Sequence, residues 1–164
     1  MSLCSIVESI GTLKTKLVCV TCGEPLAHND VSLLVKMLLD NNYTVLVETN
    51  GSYDIRILPQ KAIRIMDIKC PDSEMNHMMY WENLKYLTKL DEVKFVLCSR
   101  KDYDWAKEVV NAYNLPIITN VLMGTAFGTI SPENAVKWIL EDNLDVRFQL
   151  QLHKYIWDPK ARGV

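Results

Sequence analysis

The residues that could do chemistry fall into four short polar clusters. Thr21-Cys22-Gly23-Glu24-Pro25, Glu48-Thr49-Asn50-Gly51, Asp67-Ile68-Lys69-Cys70-Pro71 and His153-Lys154 each follow an apolar run with the character of a strand. Gly23 lets the backbone turn and come close to a ligand where a Cβ would obstruct. Glu24 beside it offers acceptors for an ammonium group or hydroxyls, although the pair also reads as a tight turn with a solvated glutamate. Asn50-Gly51 is a common turn pair, and Glu48 reads equally as an exposed strand end. Asp67 and Lys69 are two apart, so on a strand both can point toward one pocket, or they can form a structural ion pair. His153 taken alone reads as a satisfied packing residue. Each signal is weak singly; what gives them weight is the edge they share.

That edge follows from the elements. Ile6, Val7, Ile10 and Leu13 make a helical stripe, and Leu17 to Val20 is a short buried strand. Val31, Leu34, Val35 and Leu38 repeat at helical spacing, with Asn29 or Asp30 as N-cap. Strands are expected at Tyr43 to Val47, Ile63 to Ile68, Val93 to Leu97, Pro116 to Leu122 and Val146 to Leu152. Trp105, Val109 and Ala112 mark one further helix, and Ser131-Pro132 caps and opens another through Trp138 and Ile139. Strands alternating with helices imply βαβ units and a mainly parallel sheet. Six strands, short of the eight of a closed barrel, fit a partial (β/α) barrel as well as a doubly wound sheet. In both architectures ligands meet the carboxyl ends of the strands, where the polar clusters fall.

The five cysteines, Cys4, Cys19, Cys22, Cys70 and Cys98, are odd in number and scattered, which argues against a disulfide framework. Cys19 and Cys22 form a lone C-x-x-C. A closed zinc site needs two more ligands, and a redox pair usually sits at a helix N-terminus. On a strand the two thiols point apart unless the turn after Thr21 brings them back, so the pair reads as small packing residues before it reads as redox or metal chemistry.

The chain has 164 residues, 49% hydrophobic and 23% charged, which is ordinary for one soluble domain. A net charge of −2 leaves no electrostatic footprint for gripping a nucleic acid. No apolar run approaches the roughly 20 residues of a membrane span, and the N-terminus lacks the pattern of a secretory signal. A cytoplasmic protein is expected.

Several of these stretches resemble one family. Thr21 to Leu26, TCGEPL, resembles the TGGEPL strand-turn of radical S-adenosylmethionine enzymes, and Glu48 to Ser52, ETNGS, is similar to the ETNGT of the 7-carboxy-7-deazaguanine synthases. MDIKCPDS at Met66 to Ser73, DEVKFVL at Asp91 to Leu97, QLQLHKYIW at Gln149 to Trp157 and the closing Arg162-Gly163-Val164 resemble that family in the same order. The resemblance implies a partial β/α barrel, a homodimer, and conversion of 6-carboxytetrahydropterin to 7-carboxy-7-deazaguanine on the route to queuosine, with a [4Fe–4S] cluster, S-adenosylmethionine and Mg²⁺. It implies that Gly23 and Glu24 hold the methionine moiety, that Asp67, Ile68 and Lys69 line the cofactor, and that Thr21 and the Val164 terminus contact a small pterin substrate.

Two departures qualify it. Cys22 stands where the family has the first glycine of its GGEP, and the C-x-x-x-C-x-x-C loop with its preceding strand is not found among the 164 residues. Met1-Ser2-Leu3 therefore reads as a start just before the first remaining helix. The expectation is a single radical S-adenosylmethionine-type α/β domain over residues 1–164, truncated at the N-terminus, with neither catalytic nor metal-ligating residues assigned, and inactive as given because the thiolate ligands are missing. The alternatives are an activating enzyme of the anaerobic ribonucleotide-reductase type, which would share GGEP but not LQLHKYIW, a cluster-free binding or dimerisation module, and a thiol-redox protein using Cys19 and Cys22.

Overall fold

The structure, a computed structural model, describes residues 2–21 and 23–161. Six strands lie side by side in chain order: β1 (Leu17–Val20), β2 (Thr44–Thr49), β3 (Ile63–Asp67), β4 (Glu92–Leu97), β5 (Asn120–Thr125) and β6 (Arg147–Phe148). Every neighbouring pair is parallel. A parallel sheet in sequential order has right-handed crossovers that stay on one face, as in a stretch of barrel wall.

Burial along the strands shows which face the crossovers cover. In β2, β3 and β4 every second residue is buried, which puts Val45, Val47, Arg64, Met66, Val93, Phe95 and Leu97 into the core. The alternate residues Leu46, Glu48, Ile65, Asp67, Lys94 and Val96 share the opposite face and are partly or fully exposed. Sheets buried on both faces read as continuous apolar runs; this one alternates because only its outer face is packed. The outer layer comprises α1 (Leu3–Gly11), α2 (Val31–Asp40), α3 (Arg100–Ala112), the short α4 (Leu115–Ile118) and α5 (Pro132–Glu141), with α6 (His153–Ile156) after the last strand. Val35, Leu38, Tyr103, Ala106, Ala135 and Ile139 supply the buried stripes of α2, α3 and α5. Val7 and Ile10 of α1 pack on this core, while Leu13 stays outside it.

The caps follow the residue chemistry. Ser131 accepts a hydrogen bond from the Asn134 N–H at 3.1 Å, and Ser99 accepts one from Asp102 N–H at 3.2 Å. Asp30 takes the N-cap position of α2 without bonding through its side chain.

Three expectations about elements are corrected. Pro116 to Ile118 is helical, and β5 begins only at Asn120. Proline cannot donate to a ladder but suits a first helical turn, which the left-handed Asn114 before it helps to set up. The final strand is two residues long rather than Val146 to Leu152, because after Gln149 N–H donates to the Met123 carbonyl at 2.8 Å the chain turns back on itself, Leu152 N–H to Leu150 carbonyl at 3.0 Å. The β2–β3 and β3–β4 connections carry no α-helix. Short 3₁₀ turns fill them, at Ile55–Ile57, Pro71–Ser73, Asn76–Met78 and Trp81–Tyr86.

At the amino edge of the sheet, one buried carboxylate ties three strands. Asp91, fully buried, accepts hydrogen bonds from Arg64 N–H of β3 at 2.7 Å and from the Thr88 N–H and hydroxyl at 2.7 and 2.9 Å. The Arg64 guanidinium lies 3.7 Å away, and the Asp91 carbonyl accepts the Thr119 hydroxyl at 2.6 Å just before β5. Replacing Asp91 by alanine would remove the counter-charge of a buried guanidinium and the acceptor of two N–H groups and a hydroxyl. We expect Asp91→Ala to cost about 3 kcal/mol of unfolding free energy, read from urea denaturation. Asp91→Asn, which keeps one acceptor oxygen, should lose less, and equal losses would show that only volume matters there.

Candidate functional site

The open face of the sheet forms the floor of the site. Across it run Glu48 on β2, Asp67 on β3 and Lys94 on β4, with Asp67 and Lys94 paired in register. Nearer the amino edge Glu92 is ion-paired with Arg147. A cavity of about 340 Å³ opens on the carboxyl half of this floor, lined by Glu48, Lys94, Val96, Gly124, Thr125 and the segment from Gln149 to His153. Ligand pockets in proteins span about 300–1,000 Å³, so the space suits a small molecule with polar groups.

The loops at the rim are tied to one another through side chains. Gly23 has φ +60°, and open space surrounds the position a Cβ would take. Glu24 is not a solvated residue of the turn, and most of its acceptor capacity is already used. One carboxylate oxygen accepts Leu26 N–H at 3.0 Å and the Thr49 hydroxyl at 2.9 Å, and the other accepts Asn50 N–H at 2.7 Å. The first loop is thereby fastened to the second. Asn50 in turn accepts Ser52 N–H and hydroxyl at 2.9 and 2.6 Å, a local side-chain turn. Gly51 has φ +72°, and a Cβ there would sit 2.7 Å from Met79 Sδ and 3.1 Å from Met66 Cγ. Its backbone angle favours glycine, and a larger residue would also have to displace the end of the Met79 side chain. Fully buried Asn83 holds the far side, accepting Ile55 N–H at 3.1 Å and donating to the Gly51 and Tyr53 carbonyls at 3.1 and 2.8 Å.

The third loop has its own brace. Asp102, buried in the first turn of α3, accepts Asp72 N–H at 3.0 Å and Cys98 N–H at 2.9 Å. Asp67, on the open face of β3, is ion-paired with Lys69 at 2.6 Å. The second oxygen of Asp67 is buried and has no hydrogen-bond partner among the described residues. Ile68, expected from the resemblance to line the cofactor, turns its side chain away from the open face. It is fully buried in the core because the strand's alternation turns it outward, and its N–H donates to the Lys94 carbonyl at 2.9 Å. Thr21 donates to Glu48 at 3.1 Å, which brings two sequence-predicted positions together at the cavity side. His153 forms part of the cavity wall. Val164 and Cys22 lie outside the described residues.

The described thiols do not converge. Cys4 lies on α1, Cys19 on β1, Cys70 after β3 and Cys98 after β4. Burial, then Asp102, pushes the Cys70 thiol up; burial also raises Cys98, and burial followed by Glu48 raises Cys19. Thiols held protonated are poor metal ligands and poor nucleophiles. Among the described residues no group of three or more His, Cys, Asp or Glu stands where it could hold a metal ion, so they do not fit an iron–sulfur cluster or a Mg²⁺ ion. Gly23, the free space beside it, the Glu24 carboxylate and the unpartnered Asp67 oxygen do fit a small cationic cofactor such as S-adenosylmethionine.

Sequence reasoning missed Asn83, Asp102, Lys94 and Gly124. Lys94 was detectable as the one cation inside the apolar run of β4, and Gly124 as a glycine inside a strand, a mark of close backbone approach. Asn83 and Asp102 carry no such pattern.

No protein-family model matches the chain. It is 38% identical over 162 residues to the 7-carboxy-7-deazaguanine synthase of Koribacter versatilis, spanning 90% of this chain and 72% of that one. The enzyme of the same name from Clostridium acetobutylicum is 38% identical over 164 residues, spanning 97% and 74%. Among solved structures, QueE from Escherichia coli superposes with a TM-score of 0.74 at 16% identity, over 92% of this chain and 64% of that one. Streptococcus suis SuiB bound to S-adenosylmethionine reaches 0.60 at 13% identity, over 89% and 40%. These two likenesses concern the fold. With the sequence relatives, an all-parallel open sheet and the polar motifs gathered at its carboxyl edge, the chain belongs to the 7-carboxy-7-deazaguanine synthase family.

Proposed function

We propose that this chain forms the single-domain α/β body that binds S-adenosylmethionine and a pterin for the radical conversion of 6-carboxytetrahydropterin to 7-carboxy-7-deazaguanine, in the cytoplasm and as a homodimer. The observation that carries the reading is the gathering of Gly23-Glu24, Glu48 to Gly51, Asp67 to Lys69 and Gln149 to His153 on one edge of an open sheet. When bound, S-adenosylmethionine would supply hydrogen-atom abstraction at the substrate, its one-electron reductant being an iron–sulfur group that the described residues do not hold. The chain's own residues bind and orient. Gly23 allows close approach of the cofactor, while Glu24 spends part of its acceptor capacity on the loops and offers the rest to an ammonium group. Asp67 and Lys69 line the same half of the site. The cavity under Gln149 to His153 then receives the flat, polar substrate, with Thr21 beside Glu48 at its side. That S-adenosylmethionine occupies the solved SuiB structure, whose fold is similar, supports the cofactor assignment.

Glu24→Ala tests this reading. Loss of a charge-assisted contact should weaken S-adenosylmethionine binding by about 1.5–3 kcal/mol, roughly tenfold to a hundredfold in affinity, and pterin binding by less. Equal cofactor affinity in parent and mutant, measured by titration calorimetry, would show that Glu24 serves only as the loop brace.

The cluster is a separate matter. Because the described cysteines are dispersed and their thiols raised, anaerobic reconstitution with iron and sulfide should leave this chain without a stoichiometric cluster. Charge-transfer absorption with about four irons per chain, as a [4Fe–4S] centre requires, would refute that.

The homodimer is supported by the outer edge of β1. Among the described residues this strand pairs only with β2, and Leu13 and Leu17 beside it are 59% and 56% exposed. Unpaired edges with apolar neighbours invite another chain. Light scattering at increasing concentration should show self-association, and a strict monomer throughout would count against the assembly.

A further inference from the structure

The segment that carries Gln149 to His153 has few ties to the sheet. β6 is two residues long, and its pairing with β5 ends at Met123 and Phe148. Beyond it Gln149 N–H donates to the Met123 carbonyl, and the chain then crosses over β5 at Gly124. There the approach is close: a Cβ on Gly124 would stand 2.5 Å from the Gln149 carbonyl oxygen. The obstacle is backbone, which cannot swing aside as a side chain would. Gly124 has no positive φ, so its glycine is not required by backbone conformation; contact with Gln149 alone forbids a larger residue. It also stands on the floor of the cavity whose wall is the segment from Gln149 to His153.

We propose that Gly124 is a positioning residue: by leaving its Cβ place empty it seats the Gln149–His153 segment down on the sheet and so fixes the height of the pterin-binding cavity. The inference rests on the proposed pterin role of this cavity and acts through Gln149 to His153, with no contact to substrate required of Gly124 itself. The floor-to-wall spacing matters because a planar heterocycle is gripped only by walls close to both of its faces, and a site loosened by about 1 Å loses much of its grip.

Gly124→Ala is a clean probe, since an alanine suits the extended backbone of β5 and only the segment must lift. Three readouts are taken on the full chain: amide hydrogen exchange, binding of 6-carboxypterin followed by its fluorescence, and binding of S-adenosylmethionine. We expect faster exchange in residues 149–156 with β1 to β4 unchanged, pterin affinity weaker by about tenfold, and cofactor affinity within about twofold of the parent. Val96→Ala, beside Gly124 on the same floor, enlarges the cavity without touching Gln149 and should leave exchange in 149–156 unchanged. Unaltered exchange in Gly124→Ala would overturn the inference. So would faster exchange with undiminished pterin affinity, or loss of cooperative folding, which would make the contact a support of the whole sheet. If the parent chain binds no 6-carboxypterin, the proposed function fails and this inference with it; an effect confined to the variant separates the two cases.

Discussion

Parallel strands that stop together leave their next few backbone N–H groups without a ladder partner, and this sheet meets that deficit with side chains reaching sideways from neighbouring loops. Glu24 takes Asn50 N–H and the Thr49 hydroxyl, Asn83 takes Ile55 N–H, and Asp102 takes Asp72 and Cys98 N–H. Each bond satisfies a donor that is partly or wholly withdrawn from water. Those of Glu24, Asn83 and Asp102 with Asp72 also join one loop of the edge to the next. The carboxyl edge is therefore a braced rim, in which Asn83 and Asp102 hold loops from behind and Glu24 holds one from beside the ligand space.

This explains what was legible in the sequence. Val45, Val47, Met66, Val93, Phe95 and Leu97 alternate with exposed or half-exposed neighbours, so strands β2 to β4 and the side they bury could be read from period alone. The Gly23-Glu24 and Asn50-Gly51 turns announced themselves through residue type. The double duty of Glu24 did not, because its partners Thr49 and Asn50 are 25 and 26 residues away in the chain. Asn83 and Asp102 were invisible for the same reason: they look like loop and helix-surface residues until topology brings a loop about 30 residues distant beside them. The misplaced start of β5 arose from reading Leu115 to Ile118 by its apolar content, when Pro116 and the left-handed Asn114 make it a helical turn.

The two edges of the sheet divide the work. At the amino edge Asp91 and Arg64 are almost wholly buried, and Asp91 takes the Arg64 N–H of β3 and the Thr119 hydroxyl just before β5, an arrangement that serves stability. At the carboxyl edge the charges stay half-exposed: Lys69 and Asp67 pair at the surface of the floor, with side chains 36% and 26% exposed. Burying them fully would consume their charge in desolvation. Leaving them at the rim of an open face keeps them available to a cofactor while their mutual contact limits the ways they can move.

Two glycines on this side of the sheet show why residue type alone understates the site. Gly51 is favoured by a left-handed turn, with the Met79 side chain beneath it, so its place in the ETNGS motif is at least partly a backbone requirement. Gly124 belongs to none of the recognised motifs and has no positive φ, yet a carbonyl from the segment after β6 rests where its side chain would be. A motif marks where residue types recur. Which of them shape the ligand space is settled by what lies across the sheet, and here the crossing of Gln149 over Gly124 ties the LQLHKYIW segment to a floor formed by strands on which the other motifs end.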